Sequence, residues 1–122
     1  MRRIIAVLVS LSAFAPLTAH AEERMTDARF LSASRCLAYE SVPSLQNDGV
    51  DYSALRSAVE VGSREPVIFD RARGFERQAR MAGNRARGNE RALANLRFTR
   101  DQACQPFVER GLVQLNSSTA RS

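Results

Sequence analysis

Small and apolar side chains recur at alternating steps of four and three between Pro66 and Phe107. The series consists of Ile68, Ala72, Phe75, Ala79, Ala82 and Ala86, and continues through Leu93, Leu96, Ala103 and Phe107. At about 100° per residue, these positions fall on one face of an α-helix. Five arginines follow the same steps on the opposite side, and we call them the arginine ridge: Arg73, Arg77, Arg80, Arg87 and Arg91. The pattern predicts strongly amphipathic helical structure over this stretch.

This stretch can form one helix or two. Gly83 and Gly88 are each followed by asparagine, and a glycine inside a helix costs about 1 kcal/mol relative to alanine. One interpretation is a helical hairpin within a small all-α bundle of three to four helices. The alternative is one helix of about forty residues, with two shorter helices folded back on it. We favour the bundle, because a two-layer rod of this length buries little of the chain unless it dimerises.

Two shorter helices are predicted upstream. Thr26 or Asp27 can cap a first helix of about fifteen residues that ends before a loop at residues 43–51. Asp51 can cap a second helix that runs to about Gly62.

Downstream, the pattern changes near Pro106. This proline is expected to break or kink the last helix, with Thr99 and Gln102 capping a short helix that leads into it. Residues 116–122 are polar and are expected to form a disordered tail. With no strand-like alternation of useful length, the predicted class is all-α.

The N-terminus has the features of a secretory signal. Arg2 and Arg3 precede an apolar run over residues 4–15, and an A-x-A motif occupies residues 19–21. The apolar run is too short for a bilayer span, which needs about twenty residues. The sequence therefore predicts a cleaved signal peptide at residues 1–21, a single helical domain at 22–115, and a periplasmic or secreted location.

Cys36 and Cys104 are the only cysteines. Export would place them in an oxidising compartment, where disulfides form and persist. A bridge between them would close a loop of about 70 residues, worth roughly 4 kcal/mol in the chain-entropy model. We predict this intramolecular disulfide; two free thiols or an intermolecular pair are the alternatives.

Several kinds of catalytic and metal-binding residue are missing. Outside the predicted signal peptide, which contains His20, the chain has no histidine, and it has no lysine or tryptophan anywhere. This composition disfavours Ser-His-Asp and Cys-His catalysis, lysine nucleophiles and the usual zinc, iron and haem ligand sets. The loop around Asp48 and Gly49 has Ser44 and Leu55 where a calcium loop needs acidic ligands. We therefore expect no metal, no cofactor and no enzymatic activity.

A carboxylate pair, as used in glycoside hydrolysis, is the remaining catalytic option. The candidates have the spacing of ordinary helix-surface residues; they are Glu60, Glu65, Asp70 and Glu76.

The positive charge is concentrated in one part of the chain. All eighteen basic residues are arginine, and nine of them lie between Arg71 and Arg100, against only Glu76 and Glu90. The ridge is either a solvated helix face or a docking surface, since arginine pairs bidentately with carboxylate and phosphate. Nucleic acid is the least available anion for an exported protein, and no aromatic residues alternate with the ridge to stack bases.

These observations lead to two functional hypotheses. The first is an exported, non-enzymatic protein that uses the ridge to bind another macromolecule in the cell envelope, in an accessory, chaperone-like or inhibitory role. The second is peripheral contact with an anionic membrane surface or polyanion. The alanine-rich face can pack within the chain or form a homodimer interface.

Overall fold

The computed structural model describes residues 24–116 and is mostly helical. Its helices are α1 (Asp27–Glu40), α2 (Ser53–Val59), α3 (Pro66–Arg85) and α4 (Glu90–Glu109), and a short 3₁₀ turn covers Pro43–Leu45. Two short strands, β1 (Val50–Asp51) and β2 (Gln114–Leu115), complete the described elements. The predicted class, a small helical bundle with one disulfide, is confirmed. The predicted signal peptide at 1–21 and residues 117–122 of the predicted tail lie outside the described residues.

The amphipathic stretch forms two helices, so the alternative of one long helix is wrong. Gly88 in the connection has φ +76°, a left-handed conformation that glycine adopts without steric cost. Asn89 then caps α4, its side chain accepting a hydrogen bond from the Ala92 amide at 3.1 Å. The apolar rhythm runs through the break because α3 and α4 both bury one face against α1.

Helix α1 is the centre of the bundle. It packs against both α3 and α4, which contact each other only sparsely. The disulfide between Cys36 and Cys104 joins α1 to α4, as predicted, and both cysteines are buried. One part of the core surrounds this bridge, with Phe30, Leu55 and Phe107 among its members.

The second part of the core contains the alanine-rich face. Ala79 and Ala86 pack there with Ala38, Leu45 and Leu93. The small side chains allow α3 to approach its neighbours closely, and the alanine-rich face of α3 is therefore used for packing within the chain.

Two arginines are buried structural residues. The Arg64 guanidinium donates to the Asp27 carboxylate at 2.7 Å and to the Met25 carbonyl at 2.8 Å, and it lies 4.2 Å from the centroid of the Phe30 ring. Arg100 donates to the Leu45 carbonyl and to its neighbouring aspartate. Arg100 is therefore part of the core, although it belongs to the basic excess in the sequence.

The C-terminal end of the described chain returns to the loop after α1. Strands β1 and β2 pair antiparallel with Val50 opposite Leu115, and the Asn116 amide donates to the Gly49 carbonyl at 2.9 Å. Strands of two residues are too short to produce an alternating pattern in the sequence. This pairing was therefore not predicted.

Two helices have bounds that differ from the prediction. Helix α2 ends at Val59 instead of near Gly62. Its N-cap position is Tyr52 and not Asp51, although the Asp51 carboxylate accepts a hydrogen bond from the Ser53 amide at 2.9 Å. Helix α4 continues through Pro106 to Glu109, so the expected break there is wrong. Pro106 lies at an exposed position near the helix end, where the backbone carbonyl it leaves without a partner can be hydrated.

Helix α4 also lacks the second start that was expected at Thr99. The Thr99 hydroxyl instead donates to the Asn95 carbonyl one turn earlier. Within residues 24–116, none of the helices is both long and apolar enough to cross a bilayer.

Candidate functional site

The arginine ridge is divided between two helices and their connection. Arg73, Arg77 and Arg80 are exposed on α3, on the side opposite the buried alanines. Arg87 lies in the connection, and Arg91 lies in the first turn of α4. The break at residues 86–89 therefore divides the line of five arginines expected from the sequence into a three-residue row and two separate positions.

Most ridge arginines have no carboxylate partner. Arg73 lies 3.8 Å from the Asp70 carboxylate, and both side chains are well exposed. Over the described residues, no ion pair includes Arg77, Arg80 or Arg91. An exposed pair such as Arg73–Asp70 contributes at most about 1 kcal/mol. The α3 surface therefore carries positive charge that is free to meet an anion.

Exposed apolar side chains share the outer surface of α3. Val67 and Met81 are each more than half exposed, and they flank the ridge at opposite ends of the helix. The solvent-facing side of α3 thus combines arginines with apolar positions. Mixed charged and apolar positions are more typical of a surface that contacts a protein or the membrane–water interface than a purely charged face is.

A groove lies between α3 and α4, with α1 as its floor; we call it the α1 groove. Because α3 and α4 hardly touch, part of α1 remains uncovered between them. The groove has a volume of about 460 Å³ and is lined on α1 by Ala28, Leu31, Ser32 and Arg35, and on the other helices by Phe75, Thr99, Gln102, Ala103 and Pro106.

A smaller cleft of about 330 Å³ extends the α1 groove towards the start of α1. The two share Ala28, Ser32 and Pro106, and the smaller cleft adds Arg29 and Arg110. Sequence reasoning missed this site, because its residues come from three helices and their meeting depends on the spread of α3 and α4. The sequence does contain one indication of the site, which is the row of small and polar residues on the face of α1 that lines the groove.

Two of the four candidate carboxylates line a third depression. Glu60 and Glu76 line it together with Arg73, in a volume of about 400 Å³ between α1, α2 and α3. Glu65 lies at the start of α3, and Asp70 pairs with Arg73 outside that depression. Glu60 and Glu76 are both exposed, so this depression presents its charges at a solvated rim.

The pKa shifts of the described residues occur at the start of α2, away from these surfaces. Hydrogen bonds from the Ser53 hydroxyl and amide lower the pKa of the exposed Asp51 carboxyl. Burial raises the pKa of the Tyr52 phenol. In residues 24–116, no group of three His, Cys, Asp or Glu side chains is arranged to hold a metal ion.

Comparison with family models, with curated proteins and with solved structures finds no match to this chain.

Proposed function

We propose that this is an exported, non-enzymatic protein that binds an acidic macromolecular partner in the cell envelope through the arginines of α3. The observation that carries the proposal is the row of Arg73, Arg77 and Arg80, exposed on one helix and largely without ion pairs. Arginine forks bind carboxylates in two-point contacts, so an acidic protein surface suits this row.

The bundle supports this role by keeping α3 in place. Helix α3 packs against α1, which is itself bonded to α4 through Cys36 and Cys104. A row of arginines on a packed helix loses less conformational freedom on binding than the same residues on a loop. Pre-organisation of this kind favours a specific contact.

Export is supported by the N-terminal pattern and by the disulfide. Disulfides persist in oxidising compartments and are rare in the cytosol. The non-enzymatic part of the proposal is supported by the residue types missing after position 21, since no histidine or lysine is available there for proton transfer or nucleophilic attack.

The experiment is quantitative affinity capture from envelope extracts with the mature chain as bait. In one variant, Arg73, Arg77 and Arg80 are replaced by glutamine. In a matched control, the same change of charge is made at three exposed arginines on other faces, each in an ion pair: Arg24, Arg56 and Arg97. We expect the first variant to lose the partner and the control to retain it. Equal recovery with all three baits would contradict a role for the α3 arginines.

A second candidate function is contact with an anionic membrane surface, which the exposed Val67 and Met81 beside the arginines favour. Binding of this kind weakens steeply with salt, because each phosphate contact releases a counterion. Co-sedimentation with phosphatidylglycerol vesicles at low and at physiological salt tests it. Steep salt dependence that disappears in the α3 variant supports the membrane, whereas no sedimentation at either salt concentration excludes it.

A further inference from the structure

We propose that the α1 groove is a second binding site, which takes an acidic, extended peptide segment of a partner protein. This goes beyond the function proposed above, because the lining of the groove includes none of the five ridge arginines.

The charge around the groove is of one sign. Arg35 lines the groove itself, and Arg29 and Arg110 line the adjoining cleft. None of the three is in an ion pair with another described residue. The linings contain no aspartate or glutamate from residues 24–116. Three cations without internal partners around one concave surface are complementary to carboxylates of a ligand.

The groove has apolar positions beside its polar ones, and Arg35 is held in position. Its guanidinium carbon lies 4.5 Å from the centroid of the Phe75 ring, so the planar group is stacked on an aromatic face. Stacking of this kind leaves the N–H groups at the edge of the guanidinium available to an acceptor. Leu31 and Ala103 provide apolar surface beside it.

The spacing of the cations sets the form of the ligand. Arg29 and Arg35 are six residues apart on α1, which corresponds to about 9 Å along the helix axis. A peptide in the extended polyproline II conformation has three residues per turn and advances about 3.1 Å per residue, so carboxylates three positions apart lie on one side of it and span about 9 Å. An apolar side chain between them would face the floor of the groove.

The concave shape favours a peptide over a membrane. A bilayer presents a broad surface that cannot enter a cleft between two helices, whereas an extended chain can lie along it. The outer side of α3, which is not part of the groove, is a surface that a bilayer could reach.

The test is a titration of the ¹⁵N-labelled mature protein with a capped hexapeptide that carries glutamate at its first and fourth positions and leucine between them. We expect saturable shifts of the Arg29, Arg35 and Arg110 side-chain signals and of the Ser32 and Ala103 amides. The same peptide with glutamine in place of glutamate should produce none. Absence of saturable shifts with the acidic peptide overturns the proposal.

Single variants then assign the contacts. Arg29→Gln and Arg35→Gln should each raise the Kd for the peptide roughly five- to tenfold, as expected for loss of one charge-assisted contact. Arg80→Gln removes the same charge from the outer face of α3 and should change the Kd less than about twofold. A similar loss in all three variants would show general attraction to positive charge and overturn the groove assignment.

Two further controls complete the design. Variant spectra that match the wild type away from the substituted position show that the fold is intact. Stronger shifts of the groove signals with phosphatidylglycerol vesicles than with the peptide would overturn the peptide as occupant. Because neither variant of the capture experiment changes an arginine that lines the groove or the adjoining cleft, either proposal can fail without the other.

Discussion

Gly83 lies buried in α3, where the helix faces the turn that follows α1. A Cβ atom at this position would lie 2.7 Å from Cγ1 of Val42, a buried side chain with restricted rotamers. Gly74 in the same helix is different, since its nearest neighbour would be an Arg77 nitrogen at 3.9 Å. Substitution of Gly83 therefore tests the effect of a steric clash, whereas substitution of Gly74 tests the effect of helix propensity alone.

We predict that Gly83→Ala lowers the free energy of unfolding by about 1–2 kcal/mol, because overpacking outweighs the gain in helix propensity. Gly74→Ala should raise it by up to about 1 kcal/mol. Urea unfolding followed by circular dichroism measures both. A stabilising effect of both substitutions would show that α3 can move away from Val42 at little cost.

The burial of Tyr52 is expected to lower the stability of the fold at alkaline pH. Burial raises the pKa of its phenol above the ordinary 10.0, so the folded state favours the neutral form. Stability should therefore be complete below pH 10 and decrease as pH rises above it, because the unfolded chain releases this proton more readily. Few other side chains could contribute to a change in stability over this pH range, since the chain has no lysine and both cysteines are bonded.

The measurement is the urea midpoint between pH 8 and 11 for the wild type, Tyr52→Phe and, as a matched control, Tyr39→Phe. We expect the decrease above pH 10 to diminish in Tyr52→Phe and to persist in Tyr39→Phe. Equal decreases in all three proteins would assign the alkaline loss to another group.

The start of α4 depends on Asn89. Its side chain accepts a hydrogen bond from the Ala92 amide, which has no partner within the helix. Asn89→Ala should lower the free energy of unfolding by about 1 kcal/mol, whereas Asn89→Asp should retain the cap and most of the stability. Thermal unfolding of the two variants gives the comparison. Similar losses of stability in both variants would show that the hydrogen bond accepted by the side-chain oxygen at position 89 does not stabilise the start of α4.

Much of the helical pattern could be predicted from the sequence. The start of α1, the amphipathic faces of α3 and α4 and the pairing of Cys36 with Cys104 follow from local chemistry and from the number of cysteines. The apolar rhythm alone does not separate one long helix from two, because it is the same when two helices pack on a common third. The bundle is favoured instead because a long rod would bury little of the chain, and the structure confirms it. Continuation of α4 through Pro106 depends on exposure, which the residue order does not give.

The sites show the same division. Exposure of Arg73, Arg77 and Arg80 follows from helical spacing. The burial of Arg64 and Arg100 does not, because each is stabilised by carbonyl groups far away in the chain. The α1 groove depends on how far α3 and α4 spread, and no single stretch of sequence encodes that distance.

The disulfide acts on the whole molecule, because 68 positions separate Cys36 from Cys104. Replacing both cysteines with alanine should lower the free energy of unfolding by roughly 4 kcal/mol, mainly through the greater freedom of the unfolded chain. The measurement is guanidinium unfolding with and without reductant. Reductant should destabilise the wild type and leave the double variant unchanged. A wild type that is insensitive to complete reduction would contradict this.

The central position of α1 has a consequence for the order in which the protein matures. This helix is made first, but the two helices that cover it are made last. At about 5–20 residues per second, the Cys36 thiol waits roughly 3–14 s before Cys104 is synthesised. During that time the side of α1 that packs against α4 has no partner, and the thiol is open to reaction with other disulfides. We therefore expect the Cys36 thiol to be most accessible to other thiols and disulfides before α4 is complete.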